Sequence, residues 1–170
     1  ELTDFLRAVQ ATNASLQAVA QAVIDVTGPF DVIHVHDWLV AFAGIALKHF
    51  YRTGLLATVH ATERGRTGGG LHNELNVAIN GNEWWLCYEA WRIITTTGYM
   101  ARQVHDYFQV PYDKLDVIPN GVVRARFAAV ADRDATAMRA FRRRFATDGE
   151  KIVFHVGRLV GEKGSPLIVD

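Results

Sequence analysis

Apolar residues recur with helical spacing in the first part of the chain. These positions are Leu2, Phe5, Leu6, Val9, Leu16, Val19 and Val23. The spacing places them on one face of an α-helix and predicts an amphipathic helix over residues 2–26. Gly28 and Pro29 follow this segment and end the helix.

Downstream, short apolar segments rich in β-branched residues alternate with helical patterns. The segments predict strands and read DVIHVH at 31–36, LLATVH at 55–60, RIITTT at 92–97, KLDVIP at 114–119 and KIVFHV at 151–156. Helices are predicted over 38–51, 71–90, 98–108 and 133–145. Strands that alternate with helices indicate βαβ units, so the predicted fold class is α/β, with a parallel sheet and helices on both faces.

The pattern weakens in the segment VVRARFAAVADRD at 122–134, which we interpret as part of a linker. Residues 1–121 are then predicted to form part of one domain, residues 122–150 an interdomain linker with a basic helix, and residues 151–170 the start of a second α/β domain. The chain begins without Met and ends soon after the last predicted strand. We therefore expect an internal fragment of a longer protein, inactive on its own.

Charge and composition argue against several kinds of partner and structural framework. The 170 residues include 18 Lys and Arg against 18 Asp and Glu, so net charge gives no support to a nucleic-acid or membrane-surface partner. A single cysteine excludes a disulfide framework and a cysteine metal cluster, and it favours a reducing, cytoplasmic location. The longest apolar run, Trp38 to Leu47, is about half as long as a membrane span, and no signal peptide is recognisable.

Polar residues and glycines follow each predicted strand. They are His36 and Asp37, the segments 60–66 and 97–98, Asn120 with Gly121, and the segment 157–164. Ligands of open parallel sheets bind beyond the carboxyl ends of the strands, where loops meet helix N-termini. The sequence therefore predicts a functional site built from these segments.

Arg158 and Lys163 lie in the last of these segments, on a glycine-containing loop that begins at Gly157. An arginine offers a planar fork of donors and a lysine a mobile point charge, which together suit a diphosphate. Positive charge at this place would also stabilise a departing phosphate group. The alternative is a pair of solvated surface charges, and the spacing in GRLVGEKGS does not match a Walker motif.

His34 and His36 are two positions apart on a predicted strand, so their side chains point to the same face. Together with Asp37 and His60 they form a candidate metal site of the kind that metal-dependent hydrolases use. The alternative interpretation is structural: His34 is a buried, hydrogen-bonded residue and Asp37 is the N-cap of the following helix. Spacing alone favours the structural interpretation.

The segment HATERGRTGGG places His60, Glu63 and Arg64 directly after the second predicted strand. A histidine at this place can donate a hydrogen bond to a sugar hydroxyl or take part in proton transfer. The run of glycines predicts a mobile loop, so Glu63 and Arg64 are candidates for a lid or an acceptor contact. A flexible surface loop without function is the alternative.

Five motifs occur in order along the chain: DVIHVHDW, ATVHATERGR, EWWLCYEAWRIITTT, VIPNGV and VGRLVGEKG. In this order they resemble the family 4, or group 1, glycosyltransferases, to which the bacterial glycogen and starch synthases are related. The resemblance extends from about residue 30 to the end of the chain. PNGV and GRLxxEKG are its most specific parts.

The resemblance implies a GT-B architecture, in which two Rossmann-like domains face each other across a cleft. It implies a retaining transferase that moves a hexose, glucose before others, from a nucleotide-diphosphate sugar to a sugar or glucan acceptor. No metal ion and no other cofactor is expected from it.

Site residues follow from the same resemblance. Arg158 and Lys163 match the pair that binds the donor diphosphate, and His60 matches the histidine at the donor sugar. These three residues are the catalytic candidates. The substrate-binding candidates are Asp37, Glu63, Arg64, Asn120, Gly121 and Gly157.

Two other functions remain open from the sequence. A metal-dependent hydrolase would use His34, His36, Asp37 and His60 and would lose activity with a chelator. A non-catalytic module would bind a sugar or a nucleotide without turnover. Neither a nucleic-acid partner nor a membrane span is expected, and an unpaired strand at 151–156 would favour self-association.

Overall fold

The computed structural model describes residues 2–131, 134–158, 160, 163–164 and 167. The chain divides into two compact units, residues 1–120 and residues 121–170. The boundary between the units lies between Asn120 and Gly121. Each unit has its own internal contacts and is described separately, and the finer division at residue 150 stays a prediction.

The first unit contains a parallel sheet of four strands in the order β1-β2-β3-β4. The strands are β1 Val32–His36, β2 Gly54–Val59, β3 Arg92–Thr95 and β4 Leu115–Val117. Val35, Ala57, Ile93 and Leu115 are register partners across the sheet, so their side chains point to the same face. The first four predicted strands and the α/β, Rossmann-like fold class are thereby confirmed.

One helix precedes the first strand, and the other helices of this unit lie between successive strands. The helices are α1 Leu2–Thr27, α2 Ala41–Tyr51, α3 Glu63–Arg66, α4 Glu74–Glu89 and α5 Gly98–Phe108, with 3₁₀ turns at Trp38–Val40 and Tyr112–Lys114. Local caps set two of the starts, because Thr97 accepts a hydrogen bond from the N–H of Met100 and Asn73 accepts one from the N–H of Asn76. Helix α3 is unexpected, since it lies within the segment predicted as a mobile loop.

The core of the first unit lies between one face of the sheet and helices α2, α4 and α5. Leu55, Leu86, Ile93 and Val104 are among its largest side chains and are each less than 2% exposed. Burying such a side chain contributes about 1.5–3 kcal/mol. Helix α2 approaches β1 so closely that a Cβ on Gly44 would lie 2.5 Å from Cγ1 of Val35, so this position requires glycine.

The opposite face of the sheet carries polar side chains, among them His34, Thr58, Arg92 and Asp116. Arg92 donates to the carboxylate of Asp116 through Nε at 2.9 Å, and this contact lowers the pKa of that carboxyl group. Within the described residues, the side chains of the main core cluster come from the first face and its helices. Helices on the opposite face therefore stay a prediction.

Buried Asn13 attaches α1 to the segment that follows β1. Its Nδ2 donates to the carbonyl of Leu39 at 2.7 Å and to that of Val9 at 2.8 Å, and its Oδ1 accepts from the N–H of Ala43 at 2.9 Å. A buried amide costs free energy unless its donors and acceptor are paired. These bonds therefore fix the 3₁₀ turn that begins directly after Asp37.

Two short helices lie in the part of the second unit that the structure describes. They are α6 Ala125–Ala131 and α7 Ala135–Arg142, and Asp134 caps α7 by accepting a hydrogen bond from the N–H of Thr136. The helix predicted over 133–145 is thus present in shorter form. Helix α6 lies within the segment interpreted as a linker, because its alanines favour a helix without any clear apolar period. No helix in the described part of the chain combines the length and hydropathy needed to cross a bilayer.

The predicted fifth strand, at 151–156, is not formed. A strand exists only where its backbone exchanges hydrogen bonds with a neighbour, and no described residue pairs with this segment. Its apolar side chains are exposed instead, Val153 at 80% and Phe154 at 82%. The strand prediction is therefore wrong, and the helix predicted from Gly164 onward lies mostly outside the described residues.

Candidate functional site

The parallel register brings His36 and His60 together at the carboxyl ends of β1 and β2. His36 is the last residue of β1, and His60 follows the last residue of β2. Nδ1 of His36 lies 3.0 Å from Nε2 of His60, within hydrogen-bonding distance, and the rings are stacked with centroids 5.3 Å apart. One ring therefore donates and the other accepts, and both side chains are exposed to solvent.

Asp37 connects the two strand ends through its backbone and its side chain. Its N–H donates to the carbonyl of Thr58 at 2.9 Å, and its Oδ1 accepts from the N–H of His60 at 2.8 Å. Its backbone has φ 58° and ψ 177°, a conformation that residues other than glycine rarely adopt. Asp37 occupies the N-cap position of the 3₁₀ turn as predicted, but its side chain makes no cap hydrogen bond.

His34 extends this histidine row along β1. Its Nε2 lies 2.8 Å from Oγ1 of Thr58, and its ring centroid is 4.5 Å from that of His36. The residue is hydrogen-bonded as expected but exposed, so the expectation of a buried His34 is wrong. The pKa of His34 is nevertheless lowered, mainly because the part of the ring covered by its neighbours is desolvated and also because His36 and His60 repel its charged form, so the neutral form is favoured.

The three histidines do not converge on a common point. Their rings lie beside one another, and His34 and His36 each place a ring nitrogen within hydrogen-bonding distance of a protein group. Among the described residues, no group of three or more His, Cys, Asp or Glu side chains could hold a metal ion. The geometry therefore gives no support to the metal-dependent hydrolase.

The carboxylate of Glu63 points into the protein. Glu63 is 8% exposed, and its Oε1 accepts from Nδ2 of Asn76 at 2.6 Å. Its backbone N–H donates to the buried carboxylate of Glu83 on α4. The partly exposed side chain of Arg66 lies nearby, with its Nη1 3.7 Å from the Glu63 carboxylate. The segment after β2 is thus attached to α4 by buried polar contacts.

Arg64 is partly exposed, and contacts to its guanidinium group hold it in place. Its Nε donates to Oδ1 of Asn80 at 3.1 Å, and its Nη1 donates to the carbonyl of Gly69 at 3.3 Å. Its guanidinium carbon lies 5.6 Å from the centre of the Tyr107 ring, a cation–π distance. Gly68 and Gly69 have φ of 69° and 99°, so they allow the turn that brings this carbonyl to Arg64.

The remaining predicted site residues are exposed. Asn120 and Gly121 follow β4 at the boundary between the units. Gly157, Arg158 and Lys163 belong to the second unit, where the N–H of Lys163 donates to the carbonyl of Val160 at 3.0 Å. The roles of these residues stay predictions.

Sequence reasoning missed Glu83, which is 4% exposed and contacts the site segment directly. Burial raises the pKa of its carboxyl group to about 7. A signal was present in the sequence, because Glu83 shares a helical face with Ile79, Leu86 and Cys87. A carboxylate on an apolar helix face is unusual and needs a partner.

Comparison with known proteins places most of the chain in one family. Residues 4–126 match the model described as Glycosyltransferase Family 4. An uncharacterized glycosyltransferase, MJ1607 of Methanocaldococcus jannaschii, is 36% identical over 141 residues, which are 82% of this chain and 35% of that protein. A glycogen synthase of Mycobacterium tuberculosis is 36% identical over 134 residues, 79% of this chain and 30% of that protein.

A more distant relative widens the range of named activities. A D-inositol 3-phosphate glycosyltransferase of Nocardia farcinica is 25% identical over 155 residues, 90% of this chain and 33% of that protein. The chain spans about a third of the length of the curated relatives it matches. The similarity therefore concerns one part of each relative. The family match over residues 4–126 includes the four strands of the first unit.

Proposed function

Because the chain belongs to glycosyltransferase family 4, we propose that the protein moves a hexose from a nucleotide-diphosphate sugar to a sugar or glucan acceptor. The observation that carries this proposal is the junction of Asp37, His36 and His60 at the carboxyl ends of β1 and β2. A parallel α/β sheet binds its ligands at this edge. Asp37 and His60, two of the residues that the family resemblance names, contact each other at this edge.

Glucose is the first candidate for the transferred sugar, and a glucan for the acceptor. The relative named glycogen synthase is 36% identical to this chain, against 25% for the relative named D-inositol 3-phosphate glycosyltransferase. A small phosphorylated acceptor is the second candidate. We propose retention of the anomeric configuration and no requirement for a metal ion.

His60 orients the donor sugar in this proposal. Its backbone N–H is bound by Asp37 and its ring lies against that of His36, so the position of the imidazole is restricted from two sides. An exposed, positioned imidazole can donate a hydrogen bond to a sugar hydroxyl or to the developing charge of the transition state. Asp37 therefore acts by placing His60.

Arg158 and Lys163 bind the donor diphosphate, and Gly157 lets the backbone approach it. The charge on a departing nucleoside diphosphate grows as the glycosidic bond breaks. Cations that contact this group stabilise the transition state more than the ground state. Asn120 and Gly121 contribute backbone contacts to substrate in the same proposal.

Arg64 is the better placed of the two acceptor candidates. It is partly exposed, and Asn80 and Tyr107 fix its guanidinium group. The carboxylate of Glu63 is already engaged by Asn76, so Glu63 shapes the loop from inside. We therefore assign acceptor contact to Arg64 and loop geometry to Glu63.

A donor panel tests the proposal on the full-length protein. ADP-, UDP- and GDP-sugars are incubated with the protein and a glucan acceptor, with and without EDTA, and release of nucleoside diphosphate is measured. Acceptor-dependent release from one donor, unchanged by EDTA, is the expected result. Activity that EDTA abolishes would support the alternative of a metal-dependent hydrolase. Donor binding without release of nucleoside diphosphate would indicate a non-catalytic module.

A further inference from the structure

Glu83 is a buried carboxylate that none of the proposed catalytic steps uses. Both of its oxygens lie 2.9 Å from the backbone nitrogen of Glu63, and the residue is 4% exposed. The hydrogen bond crosses from the middle of α4 to the first residue of α3. It therefore joins a core helix to the segment that follows β2.

The bond fixes a segment that begins at the site. Glu63 follows His60 by only three residues, and Thr62 between them is fully buried. Thr62 also accepts a hydrogen bond from the N–H of Gly65 at 3.0 Å. At the other end, Asp37 binds the N–H of His60. Two carboxylates thus bind the first and last backbone amides of residues 60–63.

Burying an ionised carboxylate at position 83 is energetically unfavourable. Desolvation is the main cause that raises the pKa of Glu83, and repulsion from Glu63 and Asp37 adds to it. The Glu63 N–H and Arg66, whose Nη1 lies 3.9 Å away, offset only part of this effect. On its own helix, Cys87 stays neutral near pH 7, because burial raises the pKa of its thiol to about 12. A neutral side chain would pack here at lower cost, so the charge needs a reason beyond packing.

We propose that Glu83 is a positioning residue for the transfer reaction, since its carboxylate anchors residues 60–66 and so keeps His60 and Arg64 in place at the end of β2. The role rests on the proposed function, because it assigns His60 and Arg64 to donor and acceptor. An ionised carboxylate binds an N–H more strongly than a neutral group does. The anchor is therefore strongest when Glu83 is charged.

Three variants of the full-length protein separate this role from general packing. Glu83→Leu removes the acceptor and leaves the Glu63 N–H buried without a partner. Glu83→Gln keeps one oxygen acceptor at nearly the same volume. Glu89→Gln is the matched control, because Glu89 lies on the same helix and binds Lys48 and His49 of α2 instead of the site segment.

Hydrogen exchange without substrate is the first readout. Glu83→Leu should lose protection of residues 60–66 by about tenfold or more at a fixed pH, while Glu83→Gln keeps most of it and Glu89→Gln all of it. The second readout is kinetic. Glu83→Leu should lower kcat by about tenfold because His60 is misplaced, and Glu83→Gln should restore most of this loss.

The third readout is the pH dependence of kcat, which compares the wild type with Glu83→Gln and can be measured even if Glu83→Leu does not fold. The wild-type kcat should rise as Glu83 ionises near pH 7, and Glu83→Gln should lack this step. Identical profiles for both proteins, or full protection of residues 60–66 in an active Glu83→Leu variant, would overturn the role of Glu83. If the three variants give the expected hydrogen exchange but the wild-type protein transfers no sugar, the proposed function is overturned and the anchoring role of Glu83 is not.

Discussion

The carboxylate of Asp37 accepts a hydrogen bond from the backbone N–H of His60 at 2.8 Å. Asp37 makes this contact from a backbone conformation with φ 58° and ψ 177°. Such a conformation costs a residue other than glycine about 1–3 kcal/mol. The surrounding contacts offset this cost and join the ends of β1 and β2 at the candidate site.

Substitutions of Asp37 should separate the strain from the hydrogen bond. Asp37→Gly relieves the backbone and removes the acceptor, whereas Asp37→Ala removes the acceptor and keeps the strain. We expect both variants to lower kcat by at least about tenfold, and Asp37→Gly to be more stable than Asp37→Ala by about 1–2 kcal/mol. Urea unfolding and kinetics measure the two effects. Equal stabilities would show that the backbone stores no strain.

Glu83 should make stability depend on pH in a defined direction. Its folded pKa of about 7 lies above the usual 4.5, so the native state holds a proton that the unfolded state has lost between these values. The stabilisation that comes from this retained proton is fully present below about pH 4.5 and is lost as pH rises through about 7, a change of about 3 kcal/mol. Urea unfolding from pH 5 to 8 should show this loss in the wild type but not in Glu83→Gln.

Glu89 provides the control of opposite sign. The hydrogen bond from Lys48 is the main cause that lowers the pKa of Glu89. A lowered folded pKa gives stability that is present above the unfolded pKa and is lost as pH falls. Glu89→Gln should therefore flatten the acidic side of the stability profile and leave the change near pH 7 in place. If Glu89→Gln also removed the change near pH 7, that change could not be assigned to Glu83.

Two glycines in helices should respond oppositely to alanine. A Cβ on Gly44 would lie 2.5 Å from Cγ1 of Val35 and 3.4 Å from Cδ1 of Leu55, so Gly44→Ala should cost about 1–3 kcal/mol through overpacking. A Cβ on Gly81 of α4 meets nothing within 4 Å, so Gly81→Ala should stabilise the protein by up to about 1 kcal/mol. Thermal unfolding of both variants checks the pair. Equal effects would contradict the close approach of α2 to β1.

Arg158 and Lys163 should affect turnover more than binding. Loss of either cation removes stabilisation of the leaving diphosphate, so Arg158→Ala and Lys163→Ala should each lower kcat by about 10²–10³-fold. The acceptor KM should change little. Arg139→Ala, at another exposed arginine of the second unit, is the control and should behave as wild type. Unchanged kcat in both test variants would exclude the diphosphate role.

Much of the first unit could be predicted from local pattern. The four strands and the helices α1, α2, α4 and α5 were predicted correctly, because the spacing of apolar residues that indicates a strand or a helix is a local property of the sequence. The strand prediction for residues 151–156 was wrong because a strand also needs a hydrogen-bonded neighbour. No described residue pairs with this segment, although its composition is typical of a strand. Helix α3 was missed because its four residues are too few to carry a period.

The pattern of residues along the chain is enough to predict the fold class, the family resemblance and the polar residues that follow each strand. The contacts among those residues could be read from the three-dimensional structure alone. The Asp37 bond to His60 spans 23 residues, and the Glu83 bond to Glu63 spans 20. Such contacts depend on the register of β1 against β2 and on the rotation of α4 over the sheet. Neither quantity is encoded in local spacing, because both are set by the packing of the whole core.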